Sequence, residues 1–237
     1  MPERTIRTRM LLGQAAMDRL ARAHVAVVGL GGVGSWCAEA LCRAGVGKLT
    51  LIDSDTVAES NINRQLEALG STVGQPKAAA LAARLRDIAP DAEISPVTAL
   101  YSAGNREILP AGLDYIADCI DLVSCKLDLI ETALSRGVPV ISALGTGDKL
   151  DAGRLRLADL AETSGCPFAR VMRRELRRRG IEHLDVVYSD ERARASEQLA
   201  PPPPGRRSVP GSVVWVPATA GLLMAQRIAL AIAEAEL

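Results

Sequence analysis

The sequence has few aromatic residues and no surplus of either charge. Its 237 residues include one phenylalanine, two tryptophans and three tyrosines, and 28 basic side chains balance 28 acidic ones. Nucleic-acid binding driven by overall charge is therefore excluded, and any such contact must come from a local basic patch. Base stacking is limited to a few side chains, of which Phe168, Tyr188 and Trp215 are the candidates.

Cysteine patterns that hold zinc or form disulfide frameworks are also missing. The five cysteines fall at positions 37, 42, 119, 125 and 166, with no C-x-x-C pair. The odd number and this spacing argue against both a disulfide framework and a structural zinc site. We interpret Cys37 and Cys42, which lie inside a helical pattern, as small core side chains.

No long uninterrupted apolar run is present. The longest apolar stretch, near the C-terminus, contains Gln226 and Arg227, and the N-terminal MPERTIRTRM is basic and polar. We therefore expect no membrane-spanning segment, no membrane partner and a cytoplasmic protein. Hydrophobic residues make up 48% of the chain, which is typical of a globular protein with a full core.

The most informative stretch is VAVVGLGGVGSWCAEALCRAGVGKLTLIDSD, residues 25–55. It predicts a strand, a glycine loop, a helix, a second strand and then an acid, which is the order of a nucleotide-binding βαβ unit. The glycines permit a tight turn, close approach to phosphate and close packing of helix on strand, and they stand at Gly29, Gly31, Gly32 and Gly34. Asp53 lies where a carboxylate accepts from ribose hydroxyls. NAD and ATP both suit this unit.

The remaining pattern alternates strands and helices, which predicts a doubly wound, mainly parallel sheet. An N-terminal amphipathic helix is predicted first, over 5–22. Further strands are predicted at 92–97, 114–117, 137–142 and 185–188, with an antiparallel strand at 154–158 and a last strand at 213–216. Helices are predicted at 77–89, 123–135, 168–179 and 217–236.

The loop after the second strand is polar and too long to be a turn. It brings Asp55, Asn61, Arg64 and Lys77 toward the phosphate end of the predicted site. Attack by a carboxylate on the α-phosphorus of ATP builds negative charge, which Arg64 and Lys77 can neutralise. A dehydrogenase has no use for this cluster. The alternatives are that both cations lie idle on the surface and that Asp55 only shapes the loop.

Acidic residues also follow the fourth predicted strand, in Asp118-Cys-Ile-Asp121. Asp121 is the candidate ligand for Mg²⁺ held against phosphate oxygens. We interpret Asp118 as a hydrogen-bond acceptor at the strand end rather than a metal ligand.

The predicted helix at 168–179 is strongly basic, with six arginines and one acid, Glu175. A solvated face is one interpretation. We favour contacts with the phosphates of an RNA, because a neutral protein does not need this cluster for solubility. The arginines stand at Arg170, Arg173, Arg174, Arg177, Arg178 and Arg179.

Taken together, GLGGVGS, LIDSDTV, SNINRQ, VGQPK and the last acid of DCID resemble the adenylating domain of the E1/ThiF/MoeB-like superfamily. The resemblance implies that ATP is the nucleotide, that Asp53 binds ribose, that Arg64 and Lys77 contact phosphates, and that Asp121 binds Mg²⁺. It also implies a homodimer in which Arg7, placed by its position in RTRMLLG, reaches into the partner's ATP site.

The second half, with GTGDKLD, ADLAETSGCPFARVMRRELRRRGI, VVYS and VPGSVVWVPATAGLLMA, resembles the tRNA threonylcarbamoyladenosine dehydratase branch. The branch implies adenylation of the threonyl carboxylate of the modified adenosine, followed by cyclisation with net loss of water. The chain would then be one domain, 1–237: an ATP-binding core at 1–148, and a part at 149–237 that holds the basic helix and the closing helix. Residues 190–211, rich in proline and charge, are predicted to be mobile.

Two other classes remain. One activates the C-terminus of a ubiquitin-like or sulfur-carrier protein, for which a usable cysteine is wanted; Cys166, at a predicted helix start, is the candidate, ahead of Cys125. The missing C-x-x-C pairs weigh against that class. The other is a nucleotide sensor without catalysis. A sulfur-transfer protein as a further partner is left open.

Overall fold

The computed structural model describes residues 3–199, 201 and 208–234. In these residues seven strands form one sheet with the order β3-β2-β1-β4-β5-β7-β6. All neighbouring pairs are parallel except β6 and β7, which are antiparallel. The strands are β1 (His24–Val28), β2 (Lys48–Ile52), β3 (Glu93–Val97), β4 (Tyr115–Asp118), β5 (Val140–Ala143), β6 (Leu155–Asp159) and β7 (Asp185–Ser189).

This architecture confirms the predicted mainly parallel α/β fold with an antiparallel C-terminal strand pair. Helices cover both faces of the sheet: α1 (Ile6–Leu12), α2 (Gln14–Arg22), α3 (Gly34–Ala44), α4 (Lys77–Ile88), α5 (Val123–Ser135), α6 (Pro167–Arg177) and α7 (Trp215–Glu234).

The central strand β1 shows why two layers of helices are needed. All five of its residues are buried. Val25 and Val27 face the core shared with α3, α4 and α7. Ala26 and Val28 face the core shared with α5 and α6. Alternate side chains of a strand point to opposite faces, so an apolar run without alternation requires cover on both sides.

Two predicted elements are wrong in detail. The single helix over 5–22 is two helices, because Gly13 has φ 82° and breaks the ladder between α1 and α2. The strand predicted at 213–216 does not form. Val214 instead accepts the backbone N–H of Ala218, which is a helical bond, and α7 begins at Trp215. A short run of β-branched residues does not by itself distinguish a strand from a helix start.

The closing helix α7 lies in the core rather than on the surface. It packs most extensively on α3, where a side-chain Cβ at Gly221 would come 2.3 Å from the Val33 carbonyl oxygen. Within the described chain this is the one helix with the length and hydropathy to cross a membrane, a property that buried core helices share. Met224 and Ile228 are fully buried along it.

The segment predicted to be mobile is partly described. Residues 190–199 contain no helix or strand, and residues 200 and 202–207 lie outside the described residues. Backbone bonds join Arg194 to Asp148 and Asp148 to Gly211, with N···O distances of 2.8 Å. The mobility of 190–211 therefore stays a prediction. Residues 235–237, at the predicted end of the closing helix, also lie outside the description.

Candidate active site

A cavity of about 700 Å³ opens at the carboxyl ends of the strands β1, β2, β4 and β5. Sheet order reverses between β1 and β4, because β2 continues on one side of β1 and β5 on the far side of β4. Ligands of open α/β sheets bind at such a switch point. Of the residues predicted from sequence, the cavity is lined by Gly29, Gly31, Gly32, Asp53, Asp55, Asn61, Arg64, Lys77 and Asp121.

The glycine loop has no room for side chains at two positions. Gly29 has φ 88°, and a Cβ there would lie 2.7 Å from the Cys119 carbonyl oxygen. Gly34, the first residue of α3, sits over the loop, and its Cβ would lie 1.8 Å from the Gly29 carbonyl oxygen. The helix N-terminus therefore reaches the floor of the cavity, where free N–H groups and the helix dipole favour an anion.

Asp53 holds the glycine loop and the next turn together. Its Oδ2 accepts from the Leu30 backbone N–H at 2.7 Å, and its Oδ1 accepts from the Asp55 backbone N–H at 2.8 Å. Each carboxylate oxygen keeps a second lone pair for a hydroxyl donor. The carboxylate is thus pre-oriented at the cavity wall, and its contact with ribose stays a prediction.

The predicted phosphate cations come from the loop after β2 and from the helix that follows it. Lys77, the first residue of α4, is 6% exposed and donates to Asp55 Oδ2 at 3.0 Å. Arg64 is half-buried, and its Nη1 donates to the Ser60 carbonyl at 2.9 Å and to Asn63 Oδ1 at 2.8 Å. Burial lowers the pKa of the Arg64 guanidinium, which shows that its charge is held partly out of water. An anion bound there meets cations with reduced hydration.

Asn61 has a local structural task. Its Oδ1 accepts from the Ala58 backbone N–H at 3.0 Å and closes the short turn that carries it. The side chain still lines the cavity.

Asp118 is a structural acceptor, as interpreted from sequence. It is fully buried with Lys126 and Ser142. Lys126 Nζ donates to Asp118 Oδ2 at 2.7 Å, to Ser142 Oγ at 2.9 Å and to the Ala143 carbonyl at 3.0 Å. Asp118 Oδ1 accepts from the Ile120 N–H at 3.1 Å, which orients the turn that presents Asp121 at the cavity.

The cysteines near this cavity are poorly suited to act as nucleophiles. Cys166 is buried at the start of α6 and does not line the cavity. Cys119 does line it, but burial raises the pKa of its thiol well above the usual value. A thiol that stays protonated is a poor nucleophile.

The remaining predicted residues lie away from the cavity. Arg7 is exposed on α1. Four arginines of α6 and the C-cap residue Arg178 surround a second hollow of about 520 Å³; the four are Arg170, Arg173, Arg174 and Arg177.

Some of these arginine side chains are already held by hydrogen bonds or ion pairs, and others are not. Arg173 Nη1 donates to the Thr163 carbonyl at 2.6 Å, so it braces its own helix. Glu175 pairs with Arg174 and Arg178, and Arg179 pairs with Glu131. Among the described residues Arg170 and Arg177 make no ion pair. Of the candidate stacking residues, Tyr188 is buried, Phe168 lines the main cavity and Trp215 is 51% exposed.

Sequence reasoning missed several residues of the cavity and its floor. Tyr101, Thr146 and Gln65 line the cavity. Glu67, three residues after Arg64, is buried, with 2% of its surface exposed. Gln65 lies in SNINRQ and Thr146 in GTGDKLD, so the motifs could have indicated both; no local pattern marks Tyr101 or Glu67 as functional.

The fold and the cavity define a doubly wound nucleotide-binding protein with cations at the phosphate end. The chain belongs to the ThiF family, whose match spans residues 3–233. It is 37% identical to the tRNA threonylcarbamoyladenosine dehydratase of Bacillus subtilis over 94% of this chain and 92% of that protein. The Escherichia coli enzyme of that name is 37% identical over 78% of this chain and 72% of its own.

Solved structures agree with the sequence relatives. The ATP complex of the Escherichia coli dehydratase superposes with a TM-score of 0.87 at 33% identity, over 97% of this chain and 93% of that one. Its AMP complex gives a TM-score of 0.85. MccB of Escherichia coli with ATP shares the fold, with a TM-score of 0.69 at 16% identity.

Proposed function

We propose that this chain is an ATP-dependent tRNA threonylcarbamoyladenosine dehydratase. The observation that carries the proposal is that two half-buried or buried cations, Arg64 and Lys77, face one cavity with a glycine loop and Asp53. Relatives that match nearly the whole chain bear that name. The cavity brings the glycine loop, Asp53 and the two cations together, and the pKa of Cys119, a thiol that lines it, is raised by burial.

The reaction needs charge and proximity more than covalent help. The threonyl carboxylate attacks the α-phosphorus, the bond to the bridging oxygen breaks, and pyrophosphate leaves with its electron pair. A nucleophile of the carbamoyl group in the same substrate then displaces AMP and closes the ring, with net loss of water. Lys77 and Arg64 stabilise the charge that develops on the phosphates. Holding both reacting ends in one molecule supplies the proximity.

Mg²⁺ is proposed as the companion of ATP, with Asp121 as its protein ligand. Across the described residues no cluster of three or more His, Cys, Asp or Glu side chains is arranged to hold a metal. This fits Mg²⁺ bound by one or two carboxylates, water and phosphate oxygens, and not an ion held by protein alone. Bound there, the ion would offset phosphate charge.

The active form is proposed to be a homodimer in which Arg7 enters the ATP site of the partner. On the same helix Met10 and Leu11 are 75% and 88% exposed. Large apolar side chains this open to water favour cover by a second protein surface. A second copy also gives the exposed Arg7 an anionic target.

The tRNA is proposed to dock on the basic face of α6. Arg170 and Arg177 are the best placed, because ion pairs with Glu175 restrict Arg174 and Arg178, and a hydrogen bond to Thr163 restricts Arg173. Arg173, Arg174 and Arg178 complete the positive surface. We further propose that the protein is cytoplasmic, and a sulfur-transfer protein stays a candidate partner.

Activation of a carrier protein is the second candidate. The molybdopterin-synthase adenylyltransferase of Escherichia coli is 39% identical but over only 53% of this chain. The same adenylating core would serve both reactions, so the test must vary the acid that is activated.

The test incubates the purified protein with ATP, Mg²⁺ and tRNA that bears threonylcarbamoyladenosine. Nucleosides are released under mild conditions, and mass spectrometry looks for a product lighter by one water. We expect ATP-dependent product with wild type and at least a 100-fold lower yield with Lys77→Ala, about 3 kcal/mol in barrier. Lys48→Ala, which removes a half-buried lysine of β2 that does not line the cavity, is the matched control.

One pattern of results would refute the proposed dehydratase activity. Wild type would give no dehydrated nucleoside, yet a small carrier protein would stimulate exchange of pyrophosphate into ATP. That pattern would assign the chain to protein activation instead.

A further inference from the structure

Glu67 is a buried acid that no step of the proposed reaction uses. It is 2% exposed, and within the described part of the chain neither carboxylate oxygen has a hydrogen-bond partner. An ionised carboxylate in that state costs free energy unless charge nearby compensates it. The position of Glu67 therefore needs an explanation.

The segment that carries Glu67 is held in place from both sides. The Leu66 backbone N–H donates to Ser35 Oγ at 3.2 Å, at the first turn of α3. Thr72 Oγ1 donates to the Glu67 carbonyl at 2.6 Å and closes the following loop. These bonds fix the backbone at Glu67, whose carboxylate oxygens are buried.

The charged neighbours of Glu67 are the groups that handle phosphate. Lys77 on α4 and Arg64 on the same loop favour its ionised form, and Asp53 after β2 opposes it. Ser35 of α3 also faces it, but that hydroxyl donates to the Gly31 carbonyl at 2.8 Å. Lys77 pairs directly with Asp55, whose side chain is 66% exposed, and also acts on the buried Glu67 through its charge.

We propose that Glu67 is a positioning residue that supplies counter-charge to Lys77 and Arg64 in the empty site and binds a proton when ATP phosphates take over that task. The proposal rests on the proposed function in that it requires ATP at this site. Negative phosphates that neutralise both cations remove what favours the ionised carboxylate, so ATP binding becomes coupled to uptake of a proton.

The pKa of Glu67 without nucleotide allows its carboxylate to bind a proton near neutral pH when ATP binds. Burial raises the pKa of Glu67 to about 7, although the positive charge of Lys77 lowers it. At pH 7 about half the molecules then carry the charge, and bound phosphate moves the balance toward the protonated form. Proton uptake is largest from pH 7 to 8 and vanishes near pH 5.5, where the group is already protonated.

The test is isothermal titration of Mg²⁺ and α,β-methylene-ATP into the protein in buffers with different heats of ionisation. Glu67→Gln keeps the shape without the charge, and Glu59→Gln makes the same change at an exposed position of the same loop. We expect wild type and Glu59→Gln to take up about 0.5 proton per nucleotide more than Glu67→Gln at pH 7, and no difference at pH 5.5.

Equal proton counts in wild type and Glu67→Gln, with normal nucleotide binding, would overturn this proposal and leave the proposed function standing. No nucleotide binding to wild type would overturn both. If Glu67→Gln does not fold, carboxyl ¹³C NMR of wild type decides. One glutamate must titrate near pH 7 and move upward by about one pH unit with the analogue bound; a glutamate set that titrates only near pH 4 refutes the inference.

Discussion

Lys126→Met is the substitution that most directly tests how the cavity walls are held. Lys126 and Asp118 are each 0% exposed and joined at 2.7 Å, and the same ammonium bonds to the end of β5. Removing the lysine leaves a buried carboxylate without its cation. Loss of one partner of a buried pair costs about 3–5 kcal/mol. For a chain of this length that lowers the midpoint of thermal unfolding by roughly 6–20 °C.

The loss must depend on pH, with a sign that follows from the structure. Burial raises the pKa of Asp118, while Lys126 and Ser142 pull it back down. Without Lys126 the folded state keeps a proton on Asp118 that the unfolded chain releases above about pH 4. The free energy of unfolding of the variant therefore falls as pH rises, by up to about 1.4 kcal/mol per unit relative to wild type.

Urea unfolding followed by circular dichroism at pH 5, 6, 7 and 8 measures both effects. Lys48→Met is the matched control, because Lys48 forms an exposed pair with Glu93 and should cost less than about 1 kcal/mol. Asp118→Asn combined with Lys126→Met should recover part of the loss. A Lys126→Met cost below about 1 kcal/mol, or one that does not change with pH, would refute the reasoning.

Three further outcomes are expected. Gly34→Ala, whose Cβ would lie 1.8 Å from a carbonyl oxygen, should lower the free energy of unfolding by on the order of 3 kcal/mol in urea, whereas Gly70→Ala, with nothing within 4 Å, should stay within about 0.5 kcal/mol. Arg177→Gln should weaken tRNA binding and reduce the slope of log affinity against log salt by about 1, as measured by filter binding; an unchanged slope would contradict a phosphate contact. A mixture of Arg7→Ala and Lys77→Ala chains should regain about a quarter of wild-type dehydration if random dimers contain one complete site in half of them, and no activity if each chain works alone.

The nucleotide-binding unit could be read from the chain because its requirements are local. A strand, a glycine loop and a helix impose spacing and residue types over about thirty neighbouring positions. Gly29, Gly34 and Asp53 therefore stand in the structure where the sequence placed them, with no side-chain room at the two glycines. The mainly parallel sheet was predictable on the same ground, since alternating strands and helices allow few other arrangements.

The errors fell where local patterns are degenerate. The residues at 213–216 have the composition of a strand, but Val213 and Val214 form no strand, and Trp215 and Val216 begin α7, which packs on α3. A single glycine, Gly13, divided a periodic pattern that otherwise suited one helix. In both cases the local hydrophobic pattern was present, but it did not determine where the helix begins or ends.

The tertiary structure decided which charged residues are buried, which are paired and which face the cavity. From the sequence alone the family resemblance and a candidate ATP site with its proposed cations could be named. The sequence could not show which arginines of α6 are already paired, why Lys126 is buried or what surrounds Glu67. Each of these depends on groups far away in the chain. Burial of a charge is set by partners that only folding brings together, so the sequence determined the kind of site and the fold determined its electrostatics.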